Sequence, residues 1–189
     1  MDDTLTMHEL ERLEAARKLR SIPPEVLEIA WVREAQVEAV IDAVLVVGMA
    51  SDPAAMAHAR HVGEWSARIA GALEYGPDPS FARRVGVLAD VDPNALDRIQ
   101  ELRHVASHVR EYQAFAIAGA ENPRTLALIV TTASEFDHRV AAANARSAAS
   151  VLRAMLVAAD DSARPIVAAL AAAFERNTVS ALSRRRRGA

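Results

Sequence analysis

Alanine fills 41 of the 189 positions, and it recurs among Leu, Ile and Val at intervals of three and four. Such a chain is built to bring helices close together through small side chains. Alanine is the best helix former and a poor strand residue. Aromatic residues make up only 4% of the chain, too few for the β-branched and aromatic core of a sandwich, so an all-α fold is expected. The absence of cysteine removes disulfides, thiolate metal sites and cysteine nucleophiles together.

Caps and prolines divide the chain. Thr6-Met7-His8-Glu9 has capping-box spacing and opens an amphipathic helix carrying Leu10, Leu13, Ala16 and Leu19, which stops at Pro23-Pro24. A second apolar pattern runs from Glu25 to Gly48, where a helix stop is cheap. Asp52-Pro53, Asp92-Pro93 and Asn122-Pro123 each place a capping side chain before a proline at the first helical position. Ser80 is expected to cap a short helix over Phe81–Val91. The Asp92 helix should carry Leu96, Ile99, Leu102, Val105 and Val109 on one face as far as Gly119. Further helices are expected over Leu126–Ala143, Ser147–Ala159 and Pro165–Leu182. Trp65 and Phe81 read as core, since isolated aromatics fill volume that alanine cannot. The expected architecture is one multi-helix bundle of about eight helices. In it, residues 1–50 form an N-terminal helical pair, 51–183 the main domain and 184–189 a disordered basic tail.

The net charge is −3, and Arg184, Arg185, Arg186 and Arg187 hold four of the positives; the remainder has 18 basic against 25 acidic residues, a net of −7. That sign opposes nucleic-acid binding by the globule and leaves the arginine run as its only candidate surface for it. The longest nearly uncharged stretch, Ala39–Ser51, contains Asp42 and is too short to span a bilayer. No basic region precedes an apolar run at the N-terminus, so a cytoplasmic location is expected, with no membrane association.

No glycine-rich phosphate loop occurs, and no nucleophile-elbow pattern flags a Ser-His-Asp triad. Histidine and aspartate on helices remain: His58, His61, Asp90, Asp92, His104, His108, Asp137 and His138. His104 and His108, at i,i+4, share a helix face at a spacing that can hold a metal. The residue after His104 is Val105, not the glutamate of a zincin.

Ser51-Asp52-Pro53 through His58-Ala59-Arg60-His61-Val62, Ile69-Ala70, and Val85-Gly86-Val87-Leu88-Ala89-Asp90-Val91 resemble the front of an HD-superfamily phosphohydrolase domain, most closely the HD-GYP branch. Arg103-His104 and the helix Leu126–Asp137 extend the resemblance, which covers residues 37–174. It implies an HD-like helical bundle with the first two helices as an extension. In that family a histidine ligand stands on the first of these helices, a His-Asp doublet closes the short helix after it, and a later histidine and aspartate complete the metal set. Here Ala89-Asp90 stands in place of the doublet, Asp92-Pro93 replaces the glycine and lysine that follow it, and the Gly-Tyr-Pro signature is missing.

The family's later aspartate falls near Thr132 or Ala133, with Asp137 a few positions late, so carried over position by position only His58, Asp90 and His104 are relic or alternative ligand positions, with His61 and Asp137 ranked below them. No catalytic residue is expected. Asp90 reads independently as an inter-helix turn residue, and Glu135 and Asp137 as a solvated face paired with Arg139. The function this implies is a catalytically inactive regulatory or scaffolding module in bacterial signalling. It would have no cofactor and would bind a protein partner, with a cyclic dinucleotide as a further candidate ligand. The alternatives are a residual phosphohydrolase using iron, manganese or zinc, and nucleic-acid binding through the arginine tail. A homodimer is expected on the first two helices through Leu10, Leu13, Val37, Val40 and Val44, because their apolar residues exceed what one face can bury.

Overall fold

A computed structural model describes residues 7–20, 34–49, 52–117, 123–143 and 148–187. Among them the chain forms nine α-helices and no strand. These are α1 (Met7–Arg20), α2 (Glu34–Gly48), α3 (Pro53–Ala70), α4 (Pro79–Leu88), α5 (Pro93–Asp97), α6 (Arg103–Ile117), α7 (Pro123–Ala142), α8 (Ala148–Ala158) and α9 (Arg164–Arg187). No helix among the described residues is long and apolar enough to cross a membrane.

Aspartates set the helix starts. Asp52 accepts from the Ala54 and Ala55 amides at 2.8 and 3.2 Å, with Pro53 at the first helical position. Asp92 accepts from Asn94 at 2.9 Å, and Asp160 accepts from the Ser162 and Ala163 amides at 2.9 Å each. At α4 the cap is Asp78 rather than the expected Ser80. The Asp78 carboxylate accepts from the Phe81 amide at 2.9 Å, and the Ser80 hydroxyl donates to that same carboxylate. Pro79 fits here because it sits where no amide donor is needed. The helix expected from Asp92 to Gly119 is broken: α5 ends at Asp97, Ile99 is extended, and a 3₁₀ turn over Gln100–Leu102 leads into α6. Leu96 and Leu102, on either side of the break, are both buried. The arginine run was expected to be a disordered tail, but the backbone of α9 continues helical through Arg187, in keeping with the good helix propensity of arginine. The expected continuations over residues 21–33, 118–122 and 144–147 lie outside the described residues.

Two apolar clusters share α3 and α4 as their common wall. The first gathers Ala15 and Ala16 of α1, the inner face of α2, Ala59, Val87, Leu88, Leu96, Leu102 and the α6 stripe Val105, Ala106, Val109. The second gathers Val62 and Ile69 of α3, Ala82 and Val85 of α4, and apolar faces of α7, α8 and α9. The wall is thin because small residues meet where α3 and α4 cross. A Cβ on Gly86 would lie 2.7 Å from Ser66 Oγ and 3.1 Å from Gly63 Cα. Trp65 fills the far side, edge-on to Phe136 at 5.1 Å and stacked on Phe174 at 6.2 Å, tying α3 to α7 and α9.

α1 folds back on α2 within the same chain, burying Ala15 and Ala16. Val40 and Val44 are therefore interior, 2% and 0% exposed, and are corrected from interface to core. Leu10 and Leu13 stay about half exposed, and the Val37 side chain lies outside what is described.

Candidate functional site

The α3 helix buries Ala59, Val62, Ser66 and Ile69, which turns His58 and His61 toward α7 at the edge of that face. On α7, Ile129, Ala133 and Phe136 are buried, so the neighbouring stripe of Ser134, Asp137 and His138 meets those histidines. His58 Nδ1 lies 2.7 Å from Asp137 Oδ2, and His61 Nδ1 lies 3.0 Å from Asp137 Oδ1. One carboxylate thus spans two imidazoles. Asp137 and His58 are each 18% exposed at the side chain, whereas His61 is open to solvent.

The other edge of His58 faces two groups. Ser134 Oγ is 3.3 Å from Nε2, and Asp90 Oδ2 is 3.7 Å from the same nitrogen. The His138 ring stands 4.1 Å from that of His58, and its Nδ1 lies 3.0 Å from the Ser134 carbonyl and 3.4 Å from Ser134 Oγ. One assignment of protons satisfies the contacts other than that to Asp90. Each of the three histidines carries its proton on Nδ1 and donates it, to Asp137 from His58 and His61 and to Ser134 from His138, while the Ser134 hydroxyl donates to His58 Nε2.

The backbone around Asp90 is held by α6. Asp90 follows the end of α4, where Gln113 Nε2 of α6 donates to the carbonyls of Leu88, Ala89 and Val91 at 3.0, 3.2 and 2.7 Å. They stand at and just beyond the helix end, where carbonyls lack the full set of intrahelical partners; the Leu88 carbonyl also accepts from the Val91 amide at 3.3 Å. A cleft of about 530 Å³ opens beside the cluster, with Val62, Ala89 and Val130 on its apolar side and Asp90, Ser134 and Glu135 among its polar groups. A larger depression of about 610 Å³ beside α7 and α8 has Arg139 as its charged group and none of the cluster, so the chemistry lies at the smaller cleft.

The structure joins His58, His61, Asp90, Asp137 and His138, and leaves His104 and His108 out. His108 pairs with Glu111 at 3.3 Å on its own helix, and His104 Nε2 is buried with no hydrogen-bond partner among the described residues. Asp137 was expected on a solvated face with Glu135. Glu135 does pair with Arg139, but Asp137 turns to the histidines, because on a helix positions two apart face different directions. Ser134 and Gln113 were missed. For Ser134 the usable signal is its i,i+3 and i,i+4 spacing to Asp137 and His138; for Gln113 the sequence carries none.

A hydrolytic two-metal centre needs several donors directed at the metal ions. These residues do not fit one: Ala89 offers no donor, Asp137 is spanned by two imidazoles, and His104 is elsewhere. Among the described residues no group of three or more His, Asp or Glu side chains is arranged to hold a metal ion. No family model, curated protein or solved structure matches the chain.

Proposed function

We propose that this chain is an HD-like helical domain without metal-dependent phosphohydrolase activity, serving as a regulatory or scaffolding module in bacterial signalling. The observation that carries the reading is His58 standing between Asp137 and Asp90, with Ala89 in the place of the doublet imidazole. Of the three positions carried over by the resemblance, His58 and Asp90 lie together, 3.7 Å apart, while His104 stands apart from them; Asp137, a weaker candidate by sequence, completes the cluster. The missing imidazole and the doubly engaged carboxylate are what loss of the metal chemistry would leave behind.

Both charged groups on the cleft, Asp90 and Glu135, are acidic. Arg139 offsets only Glu135, so an anionic cyclic dinucleotide would meet net negative charge there, and a protein contact is favoured over that ligand. Met7, Leu10 and Leu13 leave an exposed apolar stripe on α1 through which the module would associate, with itself or with another protein. The test is phosphodiesterase turnover by the purified protein supplied in turn with iron, manganese and zinc. The reading predicts none above buffer. Turnover that requires a metal and disappears in His58→Ala would replace it with a working phosphohydrolase.

A further inference from the structure

We infer that Ser134 is an acyl acceptor, activated by His58 as general base and positioned through Asp137, that takes an acyl group from a small uncharged ester entering the cleft. Nucleophile, base and orienting carboxylate are connected in series: Ser134 Oγ to His58 Nε2 at 3.3 Å, and His58 Nδ1 to Asp137 Oδ2 at 2.7 Å. That is the connectivity by which a serine hydroxyl becomes nucleophilic in unrelated folds, where it is recognised by geometry and not by sequence order. The inference goes beyond the regulatory reading and stands without it, since no step involves a metal.

Three local features direct the chemistry. The His138 Nδ1–H points at the Ser134 carbonyl and hydroxyl oxygens, which turns the hydroxyl proton toward His58. When His58 takes that proton, the imidazolium lies between Asp137 on one edge and Asp90, 3.7 Å away, on the other, with His61 sharing Asp137 and the His138 ring alongside. Ser134 lines the cleft beside Asp90 and Glu135, so a neutral acyl donor enters more readily than a phosphate ester.

In the step itself, the Ser134 Oγ–C bond forms and the bond from the acyl carbon to the leaving oxygen breaks. The leaving oxygen keeps the electron pair, and the hydroxyl proton passes to His58 Nε2 and from there to the leaving group or solvent. Ser134 lies inside α7, where backbone amides are committed to the helix, so no pair of amides can form an oxyanion hole. Losing one such donor costs on the order of 10²–10³ in rate. The site should therefore capture an activated ester and release the acyl group slowly.

The probe is p-nitrophenyl acetate with the full chain at neutral pH. The expected result is a burst of p-nitrophenolate approaching one per chain and one acetyl group mapped to Ser134 by peptide mass spectrometry. Ser134→Ala should abolish the burst. His58→Asn, which keeps a donor toward Asp137 but removes the Nε2 base, should slow it by about 10²-fold or more, and His58→Gln is the second variant should that one fail to fold. Asp137→Asn should slow the burst and alter its pH profile, which a purely structural role would not do. The inference is overturned if the wild-type chain gains no acetyl group at Ser134, if the adduct forms only on His61 or another side chain, or if Ser134 is acetylated equally fast in a folded His58 variant.

Discussion

His58 and Asp137, 79 positions apart in the chain, meet with Nδ1 2.7 Å from Oδ2. The contact fixes the relative rotation of α3 and α7, because the carboxylate also reaches His61 one turn further along α3. Most of the hydrophobic contact between these helices would tolerate sliding; two directional bonds to one carboxylate would not.

Removing that carboxylate leaves the partly buried His58 donor without its acceptor, while His61, open to solvent, can turn to water. Asp137→Ala should therefore destabilise the fold by about 1–3 kcal/mol, read as a lower urea midpoint with an unchanged slope. A variant as stable as the wild type would mean that solvent replaces the carboxylate at no cost.

Gln113 closes the end of α4 with one side-chain amide spread over three carbonyls. Replacing it by Leu, which has similar volume and no donor, should cost about 1–3 kcal/mol and raise amide exchange around Ala89–Asp92 more than elsewhere. Uniform loss of protection across the chain would contradict a local role.

The pH dependence follows from the Asp78 cap. Hydrogen bonds from Ser80 and the Phe81 amide hold its carboxyl below the ordinary aspartate range. A carboxyl lowered in the folded state contributes stability that is fully present above its unfolded value, about 3.9, and is lost as pH falls through the folded value. Asp78→Ala should lower stability by about 1 kcal/mol at neutral pH, and the gap from wild type should close in acid, as followed by melting temperature. A gap that stays constant down to the acid transition would assign the effect to packing alone.

Much of the fold was legible because alanine periodicity and the Asp-Pro pairs are local signals: Asp52 and Asp92 cap where the spacing places them. The sequence offers Ser80 as the cap, but the helix begins one residue before it at Pro79, so Asp78 caps and the serine hydroxyl serves the aspartate. The break at Ile99 was invisible because the apolar spacing continues through it while the backbone does not. The site was half legible. The resemblance singled out His58 and Asp90 together with His104, which stands elsewhere, and ranked Asp137 below them; the rotation of α7 that turns Asp137 inward goes with Phe136 and Trp65 packing, which no linear pattern encodes. His104 could not be dismissed from sequence, since its spacing to His108 suits a metal as well as it suits two unrelated imidazoles.

The proposal that the chain holds no metal centre is tested most directly by thermal unfolding of the purified protein, with chelator and then with iron, manganese or zinc added. A metal that binds only the folded state raises the melting temperature by mass action. The account predicts the same melting temperature in every condition, within error. A rise of several degrees with one metal, reversed by chelator and absent in His58→Ala, would contradict it and return His58, Asp90 and Asp137 to the role of working ligands.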